Sequence, residues 1–285
     1  MPIQLSPVIS AERAELGSGF SARRVEPGRF GNAADPIVGF DHYRMNAVTF
    51  APHPHAGFSA VSYLFQDSEG SLRNRDSLGN DFTVAPGGIV WTQAGSGVQH
   101  DELPAEPGRE VHGLQIFVNL SSAAKDTAPQ VIHVDSAEIP DQTTSGGSNI
   151  RVVVGNYQGT SSPLQPLEPV DLLDIAVTSD DEVKVPLEAG HNLLVYCVSG
   201  EARIVAESNA SELRAGDAQA IGARVTMAEL LISSGPGAHL VLLRGKPLDE
   251  PVVQYGPFIM NSEEQIRAAA VRFHNGAMGM LEPLS

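Results

Sequence analysis

Cysteine is almost absent from this chain of 285 residues, which contains Cys197 and no other. A single cysteine excludes an intrachain disulfide, so the fold has to be stabilised by its packed core. The neighbours of Cys197, from Leu194 to Val198, are apolar. This setting predicts a buried thiol without chemical function.

Basic residues are also scarce, with Lys and Arg together numbering 18 against 34 Asp and Glu, a formal net charge of -16. A surface this acidic repels phosphate backbones, so we expect no direct binding to nucleic acid. No apolar run approaches the roughly 20 residues that a membrane span needs. The segment Met1–Ser6 lacks the basic and apolar regions of a secretory signal. The expectation is a cytoplasmic protein without a membrane partner.

Glycine and proline are plentiful, with 28 and 20 residues spread along the whole chain. Frequent turns of this kind are typical of all-β folds. Between residues 59 and 120, short runs of strand-forming residues alternate with turn signals every 8–12 residues, which is the rhythm of a β-sandwich or barrel. We predict strands at Ser59–Phe65, Leu72–Asp76, Phe82–Val84, Ile89–Trp91 and His112–Leu120.

The second half repeats this rhythm after a polar stretch between about residues 122 and 150 that has a linker composition. Predicted strands include 150–154, 174–177, 192–198, 202–205 and 239–243, with a turn at Ser199–Glu201. We therefore predict two β-barrels in tandem, residues 1–134 and 135–285. Ser262 and Gln265 form a capping box for one helix near the end, which Gly276 would terminate.

Two short stretches carry candidate metal ligands, namely His53-Pro54-His55 and His100-Asp101-Glu102. Residues i and i+2 of a strand project to the same face, so each stretch can present two ligands together. Three imidazoles and one carboxylate form a site for a borderline transition metal. A lone pair of histidines at this spacing is more often structural, and the second stretch is what favours a metal site.

Longer motifs surround these stretches: HPHAGFSAVSYLF, RDSLGN, PGGIVWTQAGSGVQHDELP, HGLQIFVNL and PFIMNSEEQI. With them the chain resembles the pirin family of bicupins. The resemblance implies two cupin barrels with metal only in the N-terminal one, held by His53, His55, His100 and Glu102. Iron is the usual metal of the family. Members are associated with dioxygenase activity on flavonols such as quercetin, and the nuclear eukaryotic member with iron-dependent transcriptional regulation.

Two positions depart from the family pattern. Most pirins have Arg after the HPH motif and Glu three residues further on, where this chain has Ala56 and Ser59. The family's glutamate at the position of Ser59 is not one of the usual pirin ligands, so this chain should still bind metal without it. We expect the departures to change the charge of the pocket near the metal, which weakens the flavonol assignment.

The donor set of three nitrogens and one oxygen accepts several metals, because Fe(II), Ni, Cu, Zn and Mn all bind imidazole and carboxylate. Four protein ligands leave open positions on an octahedral metal, and a closed zinc site would usually contain cysteine. We therefore expect Fe(II). Glu102 could act as a catalytic base as well as a ligand, taking a proton from a bound hydroxyl.

Other polar and aromatic residues have weaker claims to the site. Five histidines lack a partner at ligand spacing and are interpreted as surface or structural groups: His42, His133, His191, His239 and His274. His112 or Gln115 could orient a ligand imidazole. Trp91 and Phe117 are expected in the aromatic core rather than in a pocket. The second barrel has no counterpart of the HPH motif and is predicted to lack metal.

Three hypotheses about function follow. The first is a metal-dependent dioxygenase similar to quercetin 2,3-dioxygenase, acting on a small aromatic or enolic substrate in a barrel suited to small ligands. The second is a regulatory protein whose iron oxidation state controls binding to a protein partner. In the third, the metal is mainly structural.

Overall fold

The structure, a computed structural model, describes residues 4–17, 19–223 and 226–284. Strands dominate it, so the predicted all-β class is confirmed. In chain order the strands are β1 (Gln4–Leu5), β2 (Ile9–Ser10), β3 (Glu12–Leu16), β4 (Phe20–Val25), β5 (Ile37–Met45), β6 (His53–His55), β7 (Phe58–Leu64), β8 (Leu72–Asp76), β9 (Asp81–Val84), β10 (Ile89–Gln93), β11 (Val98–Pro104), β12 (Val111–Asn119), β13 (Gln130–Val134), β14 (Asp141–Thr143), β15 (Asn149–Val154), β16 (Asn156–Tyr157), β17 (Thr160–Ser161), β18 (Val170–Val177), β19 (Glu182–Leu187), β20 (His191–Ala206), β21 (Asn209–Arg214), β22 (Asp217–Ala223), β23 (Ala228–Ser233), β24 (Ala238–Gly245), β25 (Val253–Tyr255) and β26 (Phe258–Met260). Two short 3-10 helices span Pro27–Ala34 and Ser136–Glu138, and the α-helix α1 spans Glu263–His274.

The residues pack into two compact units that do not follow the chain in simple order. One unit contains Arg13–Arg24, Gly39–Ala137 and Leu248–Ser285, and the other contains Met1–Glu12, Val25–Val38 and Glu138–Pro247. A division at residues 134 and 135 would assign both chain ends differently, because each end packs with the opposite half. The terminal helix α1 accordingly belongs to the unit that contains His53 and His100. We call this unit the histidine unit.

Two sheets form the core of the histidine unit. The seven-stranded sheet has the order β13-β10-β7-β12-β5-β4-β3, and the four-stranded sheet has the order β6-β11-β8-β9. Leu72 and Val84 from the smaller sheet share a buried cluster with Leu64, Val90 and Val111 from the larger one. The two sheets therefore pack face to face, as in a β-sandwich or barrel.

The strand β7 lies at the centre of the larger sheet, between β10 and β12. All seven of its residues are buried, which explains why its sequence is strand-forming without a polar face. The five strands predicted in this half are all present, and their observed bounds differ from the predicted ones by at most two residues.

The two units divide at Ala137 and Glu138, inside the polar stretch 122–150 where the sequence predicted a boundary, but the stretch itself is structured rather than a linker. Within it, β13 pairs with β10 along five residues and β14 pairs with β15. Lys125, which contributed to the polar composition, has 1% of its surface exposed. Composition failed here because the polar side chains find hydrogen-bonding partners inside the fold.

In the second unit, β20 is one strand of 16 residues rather than two strands separated by a turn. Its first part pairs with β22 and β24, and its last part pairs with β21 and β23. The register shifts between Cys197 and Ser199, and Gly200 has a φ of 78°. The predicted turn at 199–201 is therefore a bend at which the strand passes between sheets.

The helix α1 begins as predicted. The Ser262 side chain caps it by accepting a hydrogen bond from the backbone N–H of Gln265. Ile266 and Ala269 are buried in a cluster with Ala56, Phe258 and other apolar residues, so the helix packs within the histidine unit. Among the described residues, no helix combines the length and apolar character needed to span a membrane.

Candidate metal centre

The pairing of β6 with β11 brings the two ligand stretches together. In this antiparallel pair His53 lies directly opposite His100, and His55 lies opposite Val98. Residues opposite each other in an antiparallel pair share a face of the sheet, and so do residues i and i+2. The side chains of His53, His55 and His100 therefore project to the same side.

The three imidazoles form a compact triangle, the histidine cluster. The centroids of each pair of rings are 4.8 Å apart, and the ring planes are inclined by 66° to 88°. One nitrogen from each ring lies within 4.8 Å of the other two, a spacing that can hold a metal ion. His55 and His100 are buried, and His53 is partly exposed.

Neighbouring groups fix the orientation of two of these rings. The Nδ1 atom of His53 lies 3.0 Å from the carbonyl oxygen of Ala51, which leaves its Nε2 for another partner. The ring of His55 packs against the neighbouring rings of Phe58 and Phe117, with centroid distances of 5.0 and 5.8 Å. The β6 strand itself is only three residues long, so these side-chain contacts supplement its few backbone hydrogen bonds.

The donor chemistry fits a transition metal. The buried Nδ1 atoms of His55 and His100 have no hydrogen-bond partner among the described residues, which is unusual for buried polar atoms. Burial lowers the pKa of His55 to about 3, with a further contribution from His53, and it holds the pKa of His100 well below its ordinary value. Burial also lowers the pKa of His53. The rings are thus neutral at physiological pH, the form in which imidazole binds metals.

Glu102 lines the same cavity as His53 and His55, but it lies outside the compact histidine cluster. In the metal-free protein, burial raises its pKa to about 7, and the charge of Asp101 acts in the same direction. The nearby Ser62 side chain partly opposes this increase in the pKa. Its assignment as the fourth ligand remains a prediction.

The cavity in front of these groups has a volume of about 220 Å³ and is mostly apolar. The rings of Phe20, Phe50 and Phe117 contribute to its wall. Burial and the nearby charge of Glu102 hold the pKa of Tyr43 well above its ordinary value, so this phenol remains protonated. The wall thus combines a few polar groups, among them His53, His55 and Glu102, with a mostly apolar surface.

An ion pair lies on the cavity wall between β4 and β5. Arg24 donates two hydrogen bonds to the Asp41 carboxylate, at 2.8 and 2.7 Å. The Arg24 side chain is half exposed and that of Asp41 is mostly covered. Asp41 thus points into the cavity with its charge already paired.

The two residues considered as supports for the ligands face opposite ways. Gln115 lines the cavity, accepts a hydrogen bond from the Ser62 hydroxyl and donates one to the carbonyl of Val61. His112 instead lies 2.7 Å from His42, Nε2 to Nε2, and 2.8 Å from the Asp67 carboxylate. Their odd spacing on β12 explains the difference, and His112 is not part of the site.

Several cavity residues were missed by sequence analysis because they come from the first fifty residues, where the strand pattern is weak. They are Phe20, Arg24, Asp41, Tyr43, Met45 and Phe50. The i, i+2 spacing of Asp41, Tyr43 and Met45 was the available signal, since it places all three on one face of β5. Phe117 also lines the cavity and is not only a core residue.

The two positions that depart from the family pattern, Ala56 and Ser59, are buried outside the cavity wall. Neither residue lines the cavity. Ala56 is fully buried against Phe258 and Met260, and Ser59 is buried within β7. The expected change in the charge of the pocket therefore stays a prediction, since neither short side chain reaches the cavity.

Comparison with known proteins identifies the family. The family model for pirin matches residues 11–118, and the model for the pirin C-terminal cupin domain matches residues 172–279. The chain belongs to the pirin family. The predicted pair of cupin barrels is confirmed with it.

Individual pirins and related structures agree with this assignment. Pirin from Rattus norvegicus is 33% identical over 95% of this chain and 92% of its own length. A crystal structure of quercetin 2,3-dioxygenase from Acinetobacter baumannii superposes with a TM-score of 0.86, at 26% identity, covering 99% of this chain and 100% of that one. A bacterial pirin from Escherichia coli, solved with nickel(II), has the same fold at a TM-score of 0.66 and 19% identity, covering 86% of this chain and 99% of that one.

Proposed function

We propose that this pirin is a metal-dependent dioxygenase, similar to quercetin 2,3-dioxygenase, acting on a small aromatic or enolic substrate. The observation that carries the proposal is the histidine cluster, two of whose neutral imidazoles, His53 and His55, line an aromatic cavity. The similarity to the Acinetobacter baumannii enzyme supports the same reaction class.

His53, His55 and His100 would hold the metal, with Glu102 as the fourth ligand. When bound, Fe(II) would supply the Lewis acidity and redox chemistry that organic oxygenation requires. Nickel, copper, zinc and manganese also accept this donor set, and the nickel in the Escherichia coli pirin belongs to that protein. We favour iron because the cluster contains no thiolate and four protein ligands leave positions open for substrate.

The chain's own groups would bind and orient the substrate. Phe20, Phe50 and Phe117 offer ring faces to an aromatic molecule and exclude water around it. Glu102 lies in the cavity beside these contacts, where its carboxylate could take the proton of a substrate hydroxyl. This role makes Glu102 both a ligand and the catalytic base.

The size of the cavity limits what it can enclose. An apolar cavity of about 150 Å³ holds one benzene molecule. The volume of about 220 Å³ therefore suits one aromatic ring with its substituents. A flavonol with three rings would have to leave part of its structure at the mouth, so single-ring catechols and enediols are the preferred substrates.

An oxygen-uptake experiment tests the proposal. Metal-free protein is loaded separately with Fe(II), Ni(II), Cu(II), Mn(II) and Zn(II), and O2 consumption is measured with catechols, enediols and flavonols. We expect uptake with a redox-active metal and a small ring substrate. The variant His100→Ala should lose bound metal and activity, whereas His133→Ala, altered at a ring stacked on Phe82, should keep both. Absence of O2 uptake with every metal and substrate would refute the enzyme hypothesis.

A regulatory role is the second candidate, supported by exposed apolar side chains in the segment Leu248–Ser285. Val252, Tyr255, Val271 and Met280 are 48% to 75% exposed. A protein partner could bind there and sense the iron, because the same segment contacts Gln99 of β11 and Ser96 in the turn before it. Equal affinity for such a partner in both iron oxidation states, and in a His55→Ala variant, would exclude this role.

A further inference from the structure

A buried lysine lies close to the histidine cluster. The Lys125 side chain is almost completely enclosed, with 1% of its surface exposed. Its ammonium donates to the carbonyl of Gly57 at 2.7 Å, to the Asn119 side-chain oxygen at 2.6 Å and to the carbonyl of Ile259 at 3.2 Å. An ammonium has three N–H donors, so these three acceptors satisfy it.

The acceptors come from three separate parts of the histidine unit. Gly57 follows the ligand strand β6, Asn119 ends β12, and Ile259 is the central residue of β26. The backbones of Gly57 and Ile259 approach closely, since a Cβ added to Gly57 would lie 2.0 Å from the Ile259 oxygen. Two carbonyl oxygens are thus brought together, and the lysine cation offsets their mutual repulsion.

This junction continues directly to a metal ligand. The N–H of Ile259 donates to the carbonyl of Ala56 at 3.1 Å, so β26 is bonded to the residue after His55. Ala56 immediately follows His55, so this bond fixes the backbone position from which the His55 side chain reaches the histidine cluster. A group that holds the backbone beside a ligand in place sets the direction from which that ligand meets the metal.

We propose that Lys125 is a positioning residue for the metal centre. Its ammonium clamps the turn after His55 to β26, and this clamp sets the orientation of the His55 ring toward the metal. The inference rests on the proposed metal site. A role confined to stability would leave the affinity and geometry of the bound metal unchanged when the clamp is removed.

The test uses Co²⁺ as a probe, because its visible absorption reports the geometry of its ligands. Full-length wild type, Lys125→Met and Arg244→Met are compared in metal-free form by thermal unfolding, and then by Co²⁺ titration against a competing chelator. Arg244 is the matched control, since it is a buried cation bonded to Asp171 in the other unit. Asn119→Ala, which removes only one acceptor, serves if Lys125→Met does not fold.

We expect Lys125→Met to weaken Co²⁺ binding by about 10- to 100-fold, the usual effect of losing a group that orients a ligand, and to alter the absorption spectrum. Asn119→Ala should also weaken Co²⁺ binding and alter the absorption spectrum, but to a smaller extent than Lys125→Met. Arg244→Met should lower the melting temperature while affinity and spectrum stay as in wild type. If Lys125→Met binds Co²⁺ with the affinity and spectrum of wild type, the inference is overturned. The same result in Asn119→Ala overturns it where Lys125→Met does not fold. A wild-type chain that binds no Co²⁺ would instead refute the proposed metal site.

Discussion

Two Arg–Asp pairs on strand β8 differ mainly in burial, which permits a sharp prediction about stability. Arg73 donates to Asp81 at 2.8 and 2.7 Å, and Arg75 donates to Asp101 at 3.0 Å through Nε and again through Nη2. The side chains of the first pair are 36% and 49% exposed, whereas those of the second are 10% and 4% exposed. The same chemistry is therefore present in two solvent environments.

The substitutions Asp101→Asn and Asp81→Asn remove one charge from each pair and keep the shape of the side chain. Asp101→Asn leaves the Arg75 cation buried without its counter-charge, which costs about 3–5 kcal/mol in comparable cases. A hydrogen bond from Arg75 to the carbonyl of Glu282, at 3.2 Å, favours the lower end of this range. Asp81→Asn should change the stability little, because water solvates the remaining Arg73.

The assay is urea unfolding of metal-free protein, followed by the fluorescence of Trp91. This is the single tryptophan of the chain, it is buried in β10, and it reports the histidine unit that contains both pairs. A loss of this size should lower the unfolding midpoint by roughly 1–3 M for Asp101→Asn. Equal unfolding midpoints for the two variants would refute the reasoning that burial decides how much an Arg–Asp pair contributes to stability.

Three further predictions concern groups with unusual surroundings. Burial lowers the pKa of His55 in the folded state from its ordinary value of 6.5 to about 3. Between pH 6.5 and about 3, the His55 imidazole is therefore protonated in the unfolded state and neutral in the folded state. Metal-free protein should lose stability as the pH falls below about 6.5, by at most about 1.4 kcal/mol per pH unit from this residue. His55→Phe should flatten the dependence of the urea midpoint on pH, and an unchanged slope would contradict the assignment. Burial raises the pKa of the Cys197 thiol to about 12, so a thiol reagent at pH 8 should label unfolded protein only, and rapid labelling of native protein would contradict this. Gly57→Ala should destabilise the protein and weaken metal binding, since its φ is 85° and its Cβ would clash with Ile259, whereas Gly79→Ala, strained but unobstructed, should affect stability alone.

The convergence of the three histidines was predictable because it depends on the simplest property of a strand. Alternation places His53 with His55 and His100 with Glu102, and the turn signals between the two stretches predict that their strands lie in one small fold. The pairing of β6 with β11 then brings the cluster together. What alternation could not give is the register, which puts His53 directly opposite His100 and leaves Glu102 beyond the end of β6.

Residues that act through long-range packing were beyond local sequence patterns. Lys125 lies in a polar segment, and only the fold shows that its partners Gly57 and Ile259 are 68 and 134 residues away. The division of the chain was difficult for the same reason, because each terminal segment packs with the opposite half. The hydrophobic pattern of a strand reports that it is buried and does not report which strand lies beside it.

The proposed metal ligands and the aromatic wall of the cavity have separate origins in the fold, and this separation bears on the proposed substrate choice. The ligands come from β6 and β11 in the smaller sheet, whereas Phe20, Tyr43 and Phe117 come from β4, β5 and β12 in the larger one. Substitutions in the larger sheet can therefore reshape the cavity while the donor set stays intact. Ala56 and Ser59 are buried, and neither lines the cavity. Their departure from the family pattern should consequently affect how the ligand strand is held, and the aromatic wall should determine which substrate is accepted.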